Sequence, residues 1–377
     1  MKEFNKQLLI DKAELVLNRL TNLENQKFGA DVDPWKGFAA RDFGIKTWDW
    51  PQGVGLYGME KLQKYYGDSR FDIFFKAWIK ENLKAGLPSE NINTTAPFNM
   101  VLEVAKRTKN NEYMKMCEER VHWLLSELPR TKESGFQHVT TDLFDKNGVI
   151  LNEEQLWIDT LFMAVLFLAK MGVLNENKEW LDEAIYQILL HIEYLYDKEK
   201  KLFYHGWSFI RNDNFGGIYW SRGNAWFTYG ILELLDILGE YINGALKCYI
   251  TNIFKAQMDK LAGLQAKSGL WHTILTDSSS YEEASGSAAF VAGIYRAVKM
   301  GILNDEYIAS AERAMAAIIE NIEVDGNVLK VSGGTAIGLN AEHYKNIIIA
   351  AMPYGQAMVL LALVEALEYY NEKENQK

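Results

Sequence analysis

Apolar residues recur at helical spacing over most of the chain, as in Leu181 to Tyr196 and Tyr307 to Ile322, and few segments alternate as a half-buried strand would. Helix is therefore expected to dominate, above the usual third of residues. Only six prolines interrupt the pattern. Within it, six segments share one form: an aromatic or polar lead-in, a small-residue start and an apolar helix. They begin near Gly53 (QGVGLYGMEKLQKYYG), Thr95 (TAPFNMVLEVAKRT), Thr160 (TLFMAVLFLAKMG), Gly223 (GNAWFTYGILELLDILG), Gly286 (GSAAFVAGIYRAVKMG) and Gly355 (GQAMVLLALVEALEYY). Thr160, Gly223 and Gly286 stand 63 residues apart, and the other steps run from 42 to 69.

Between consecutive copies there is room for one further helix, at Phe71 to Ala85, Asn111 to Leu128, Lys178 to Tyr196, Tyr241 to Leu261 and Asp305 to Ile322. An opening helix over about Lys6 to Leu23 completes six hairpins. The repeated helices read as nearly apolar all round, whereas the intervening ones carry a charged face such as Glu179, Asp182 and Glu183. An inner ring of six inside an outer ring of six satisfies both patterns, so the expectation is an all-α (α/α)6 barrel occupying residues 1–377 as one domain. An open helical solenoid is the competing arrangement.

In a closed toroid the inner helices run the same way, and the loops before them meet at one mouth. Those loops hold polar and aromatic residues that a core does not need: Trp48-Asp49-Trp50-Pro51-Gln52, Asn91-Ile92-Asn93-Thr94-Thr95, Gln155-Leu156-Trp157-Ile158-Asp159, Tyr219-Trp220-Ser221-Arg222-Gly223, Tyr281-Glu282-Glu283 and Met352-Pro353-Tyr354-Gly355-Gln356. Six helix N-termini aimed at one funnel favour a carboxylate. Aromatic walls with a few polar groups suit sugar rings, whose C–H faces pack on Trp or Tyr. Eleven tryptophans make such walls affordable.

The net charge of −10, with no run of Lys and Arg, argues against nucleic acid as a partner. No apolar run is long enough to span a membrane, and Met1 to Leu20 reads as an amphipathic helix without a signal-peptide core, so a cytoplasmic location is expected. Cys117 and Cys248 fit no disulfide or zinc pattern and are expected to be buried, reduced thiols. No metal or cofactor motif appears, and no P-loop, HExxH, G-x-S-x-G or dinucleotide fingerprint is present. The pattern does not specify an oligomeric state.

Asp159 opens an inner helix beside Trp157, where it would serve as a cap or as a proton donor. Aromatic desolvation would raise its pKa and the helix terminus would lower it. His205 in LFYHGW and His138 in GFQHVTTD could bind sugar hydroxyls or a carboxylate, or be structural. Arg222 in WSRGNAW would clamp a substrate carboxylate or pair with Glu283 or Asp213. Trp220, Trp226 and Trp50 are candidate sugar platforms, although Trp226 equally suits the core. Glu283 reads as a helix-start charge or a second acid/base.

With LWIDTLFMAV, LFYHGW, WSRGNAW, SGLWHTILTD, YEEASGS and MPYGQ in this order, the chain resembles glycoside hydrolase family 105, the unsaturated rhamnogalacturonyl hydrolases. Family 88 unsaturated glucuronyl hydrolases are more distantly similar. The resemblance covers nearly the whole chain. It implies an (α/α)6 barrel, no metal, and removal of a 4,5-unsaturated uronic acid from the non-reducing end of an acidic oligosaccharide left by a lyase. It also implies that Asp159 protonates C4 of the double bond and then assists water at C5. His205, Arg222 and Trp226 match positions lining the uronate site, with Trp220 beside them. Many relatives carry an aspartate in the loop where NINTTAP offers Asn91 and Asn93, and His138 lies farther from Asp159 than the family leads one to expect, which implies a longer loop. A 2-epimerase-like sugar isomerase, which uses histidine pairs in a similar toroid, and a non-catalytic sugar-binding toroid are the alternatives.

Overall fold

The computed structural model describes residues 4–25, 42–142, 145 and 147–375. Six helices form an inner ring: α2 (Trp50–Tyr66), α5 (Phe98–Thr108), α7 (Leu166–Leu174), α9 (Ser221–Leu238), α11 (Ala284–Lys299) and α14 (Pro353–Asn375). Each follows its predecessor around the ring through side-to-side packing, and α14 closes the circle by packing on α2. That contact excludes the open solenoid. The outer helices α1 (Lys6–Thr21), α3 (Asp72–Ala85), α6 (Asn111–Ser126), α8 (Lys178–Leu195), α10 (Gly244–Leu264) and α12 (Ile308–Glu320) each lie against an inner one. The architecture is an (α/α)6 barrel. Two short helices, α4 (Ile92–Thr95) and α13 (Ala341–Lys345), sit in the loops of the mouth.

Local signals explain the boundaries. Asn110, Asn177 and Asn243 cap α6, α8 and α10 by accepting backbone N–H groups of the first turn. Gly67, at φ 68°, ends α2 in the left-handed conformation. Small residues at the inner-helix starts let neighbours touch. A Cβ on Gly286 would lie 2.4 Å from the Ser221 hydroxyl, so α9 and α11 meet at the mouth only because no side chain intervenes.

The inner helices are less uniformly apolar than their pattern suggests. Their C-terminal halves carry Lys61, Glu103, Lys170, Glu233, Arg296, Lys299 and Glu365, which pair at the end of the barrel opposite the mouth. Glu233 is buried against Lys61 at 2.6 Å, Arg296 at 3.2 Å and the Tyr57 hydroxyl at 2.6 Å. Buried charges are tolerated there because each has a partner. A cavity of about 470 Å³ lined by Lys61, Lys106, Lys170 and Glu103 belongs to this network and lies away from the mouth.

Antiparallel ribbons decorate the mouth. Thr140–Thr141 (β1) pairs with Val149–Ile150 (β2), Gln155–Trp157 (β3) with Gly206–Ser208 (β6), Tyr196–Asp197 (β4) with Leu202–Phe203 (β5), and Trp271–His272 (β7) with Glu282–Glu283 (β8). The β1–β2 ribbon lies between His138 and Asp159 in the chain. Cys117 is buried, but Cys248 is exposed on α10, where its neighbours leave that face in solvent.

Candidate active site

The loops before the inner helices form a continuous ring of contacts. Trp48 donates its indole N–H to the Thr94 carbonyl at 2.9 Å, His138 reaches Thr160, and the Ser221 N–H donates to the Thr273 carbonyl at 2.8 Å. Arg222 faces Glu283, Glu283 accepts from the Ser332 N–H at 3.0 Å, and Trp50 stacks on Tyr354 at 4.6 Å.

Asp159 and His205 are brought together by the β3–β6 ribbon. Trp157 pairs with Gly206, and the Ile158 N–H donates to the His205 carbonyl at 3.0 Å, so the residues just beyond each strand face each other. His205 Nε2 lies 3.4 Å from Asp159 Oδ2. Asp159 is not a side-chain cap: its carbonyl takes the N–H groups of Phe162 and Met163, while Oδ2 accepts no hydrogen bond. The helix then begins with a π turn, Leu161–Val165, a departure that occurs preferentially at functional sites. Burial raises the Asp159 pKa, but His205 first, then His138 and Arg222, outweigh it and hold the carboxyl below its ordinary value.

His138 lies flat on Trp157, with ring centroids 4.4 Å apart, and its Nδ1 is 2.8 Å from the Thr160 hydroxyl. Its position beside the residue after Asp159 is thus fixed by stacking. His205 is buried between Trp220, at 4.3 Å, and Tyr344, whose hydroxyl is 2.9 Å from Nδ1.

Of the two roles open to Arg222, a carboxylate clamp or an ion pair with Glu283 or Asp213, its contacts fit the pairing with Glu283. It is fully buried, and its Nη1 donates to the Ser332 hydroxyl, to the Ser332 carbonyl at 3.1 Å and to Ser285 at 3.4 Å. Nη2 donates to the Gly333 carbonyl at 2.7 Å and to Thr335 at 3.0 Å, and Glu283 lies 3.6 Å away. Both terminal nitrogens are thus engaged by protein acceptors while Nε is buried without a partner, and the guanidinium reaches Asp159 through its charge. Asp213 pairs with Arg211 at the surface instead. Glu283 caps α11 through the Gly286 N–H, which is the structural reading of that residue.

Trp220 is 2% exposed, with one face covered by His205 and the Arg222 guanidinium over it at 4.5 Å. It therefore supports the site and offers no open platform. Trp226 is buried among Phe162 and Trp50, which makes it wall and core together. Trp50 meets Trp226 edge-on at 6.4 Å. Of the two asparagines, Asn91 is used up in a capping box with Thr94 and in bonds to Ser89 and Thr141. Asn93 is nearly buried in α4, which packs against the π turn after Asp159. His272 is held at the Ser280 carbonyl, 2.6 Å from Nδ1.

The residues missed in the sequence are Tyr344, Ser332, Gly333 and Thr335. They lie in the long connection between α12 and α14, where VSGGT and EHYKN carry polar and small residues outside the repeated unit. Among the described residues, no group of three or more His, Cys, Asp or Glu is arranged to hold a metal ion, and no helix is long and apolar enough to cross a membrane.

The profile of Glycosyl Hydrolase Family 88 matches residues 38–370. The chain belongs to this family. It is 31% identical to the unsaturated rhamnogalacturonyl hydrolase YesR of Bacillus subtilis, over 85% of this chain and 90% of that protein. A crystal structure from Salmonella enterica, described as a possible member of glycoside hydrolase family 105, superposes with a TM-score of 0.88 at 35% identity, covering 98% of this chain and 96% of that one. One from Klebsiella pneumoniae with the same description gives 0.89 at 34%, covering 98% and 95%. Membership sets aside the epimerase and non-catalytic readings.

Proposed function

We propose that this family member removes a 4,5-unsaturated uronic acid from the non-reducing end of acidic oligosaccharides, with the whole toroid as one catalytic domain and Asp159 as the proton donor. The observation that carries the proposal is an Asp159 carboxyl oxygen without a hydrogen-bond partner, set at the barrel mouth 3.4 Å from His205 Nε2 and within reach of the Arg222 charge. The relatives named as unsaturated rhamnogalacturonyl and rhamnoglycuronyl hydrolases support the substrate class.

In this scheme protonated Asp159 gives its proton to C4 of the enol ether. Water adds its hydroxyl at C5, and the Asp159 carboxylate takes the remaining proton. The C5 hemiketal then opens and the aglycone leaves as an alcohol, so one carboxyl serves first as acid and then as base. Because the resting carboxyl is held below its usual range, its protonation is coupled to binding: the uronate charge raises the Asp159 pKa when it enters the well. His138, Trp50 and Asn93 would bound the sugar, with His205 holding the acid and Trp220, Trp226 and Arg222 supporting the wall. Free Cys117 and Cys248 suit a reducing compartment, and we place the activity in the cytoplasm.

Unsaturated disaccharides made by lyases from pectin, ulvan and glycosaminoglycans test the proposal, read as loss of the double-bond absorbance in the ultraviolet. Turnover of at least one is expected. No turnover of any, together with measurable binding, would overturn it.

A further inference from the structure

We infer that Tyr344 is a positioning residue that determines which ring nitrogen of His205 carries the proton facing Asp159; the inference rests on the role proposed for Asp159. The Tyr344 side chain is buried, 1% exposed. Its hydroxyl oxygen accepts the Gly338 N–H at 3.2 Å and lies 2.9 Å from His205 Nδ1. A phenol has one proton, and here the nearest acceptor for it is Nδ1. A neutral imidazole that accepts at Nδ1 carries its own proton on Nε2, the atom 3.4 Å from Asp159 Oδ2.

This arrangement matters for a carboxylic acid that must keep its proton for the substrate. An imidazole with Nε2 already protonated cannot take the Asp159 proton there. Its other lone pair is occupied by the Tyr344 hydroxyl, so forming an imidazolium requires that hydroxyl to turn away. Tyr344 therefore holds His205 as a donor and prevents it from becoming a base that diverts the proton. Among the described residues, Tyr344, His138 and Arg222 are the titratable and charged groups that act on the His205–Asp159 pair, and the Tyr344 hydroxyl is the one at Nδ1.

The position of Tyr344 is secured from both sides. It lies in α13, whose start is capped by Asn340 through the His343 N–H at 3.0 Å. The preceding strap crosses the β3–β6 ribbon so closely that a Cβ on Gly206 would stand 2.3 Å from the Ile337 side chain. The same strap supplies Ser332, Gly333 and Thr335 to Arg222. One connection, outside the repeated hairpins, thus fixes the partners of both His205 and Arg222.

Tyr344→Phe keeps the ring and removes only the hydroxyl. Nitrogen-15 spectra of histidine-labelled full-length protein, with the His205 signal assigned by a His205→Asn variant, are expected to show the Nε2–H neutral tautomer in the parent. In Tyr344→Phe the signal moves toward the Nδ1–H form or the imidazolium. An imidazolium stabilises ionised Asp159, so the acid form is lost earlier as pH rises. The descending limb of the kcat/KM profile on the unsaturated disaccharide then moves to lower pH by about half to one unit, the size of one lost hydrogen bond, and kcat falls several-fold. A parent signal from the Nδ1–H tautomer or imidazolium at neutral pH overturns the inference. So do an unchanged signal and limb in the variant, which would make Tyr344 packing alone. If the parent turns over none of the substrates, the functional reading fails, while the spectra still decide the tautomer.

Discussion

Replacing Asp159 by asparagine keeps the shape of the side chain and removes both its transferable proton and its charge. The structural cost is small. Oδ2 has only the 3.4 Å approach of His205 Nε2 to lose, the carbonyl bonds to Phe162 and Met163 remain, and the side chain is 14% exposed. Stability should change by no more than about 1 kcal/mol, since no buried network is broken. The chemical cost is large. General acid catalysis contributes roughly 10²–10⁴ in rate, which at about 1.4 kcal/mol per decade is about 3–5.5 kcal/mol of lost transition-state stabilisation. The expected variant therefore folds like the parent, binds the unsaturated disaccharide, and turns it over at least about a hundred times more slowly. Stopped-time ultraviolet assays measure the rate, calorimetry measures binding, and urea titration measures stability. A variant that folds and retains more than a tenth of the parental kcat would show that the proton comes from elsewhere.

Three further outcomes follow from the geometry. Arg222→Met leaves Glu283 and the carbonyls of Ser332 and Gly333 buried without their cation, and should cost about 3–5 kcal/mol in urea denaturation; a loss below 1 kcal/mol would contradict the buried cage. Burial raises the Glu233 pKa, but Lys61 and Arg296 outweigh it and hold the carboxyl well below its ordinary range. Its stabilisation is thus complete above the unfolded carboxylate pKa of about 4.3 and is lost as pH falls through the folded value. Glu233→Gln should destabilise at neutral pH and flatten the acid-unfolding curve, while turnover per folded molecule stays at the parental value because this network lies opposite the mouth. Asn93→Asp adds a carboxylate beside the π turn and should raise the Asp159 pKa, which moves the descending limb of kcat/KM to higher pH. An unmoved limb would mean that position 93 does not share the well with Asp159.

Helix spacing and the six small-residue starts were legible in the chain because they are local. The pattern over Asn111 to Leu128 became α6 at Asn111–Ser126, and Lys178 to Tyr196 became α8 at Lys178–Leu195, since asparagine caps and apolar periodicity act within a few residues. The same pattern marked the loops that hold Asp159, His205 and Arg222. Their partners were not legible. Arg222 between two tryptophans suits a clamp or an ion pair equally, and the choice was made by Ser332, Gly333 and Thr335, about 110 positions later in the chain. Tyr344 lies 139 positions from His205 and outside the repeat, so no spacing rule points to it. The charges on the inner helices broke an apolar pattern for a reason visible only once six helix ends met and paired them. Periodicity and capping are properties of neighbouring residues, and the sequence by itself determined them; closure of α14 on α2, and with it the company each polar side chain keeps, depends on segments far apart in the chain, and only the tertiary structure decided it.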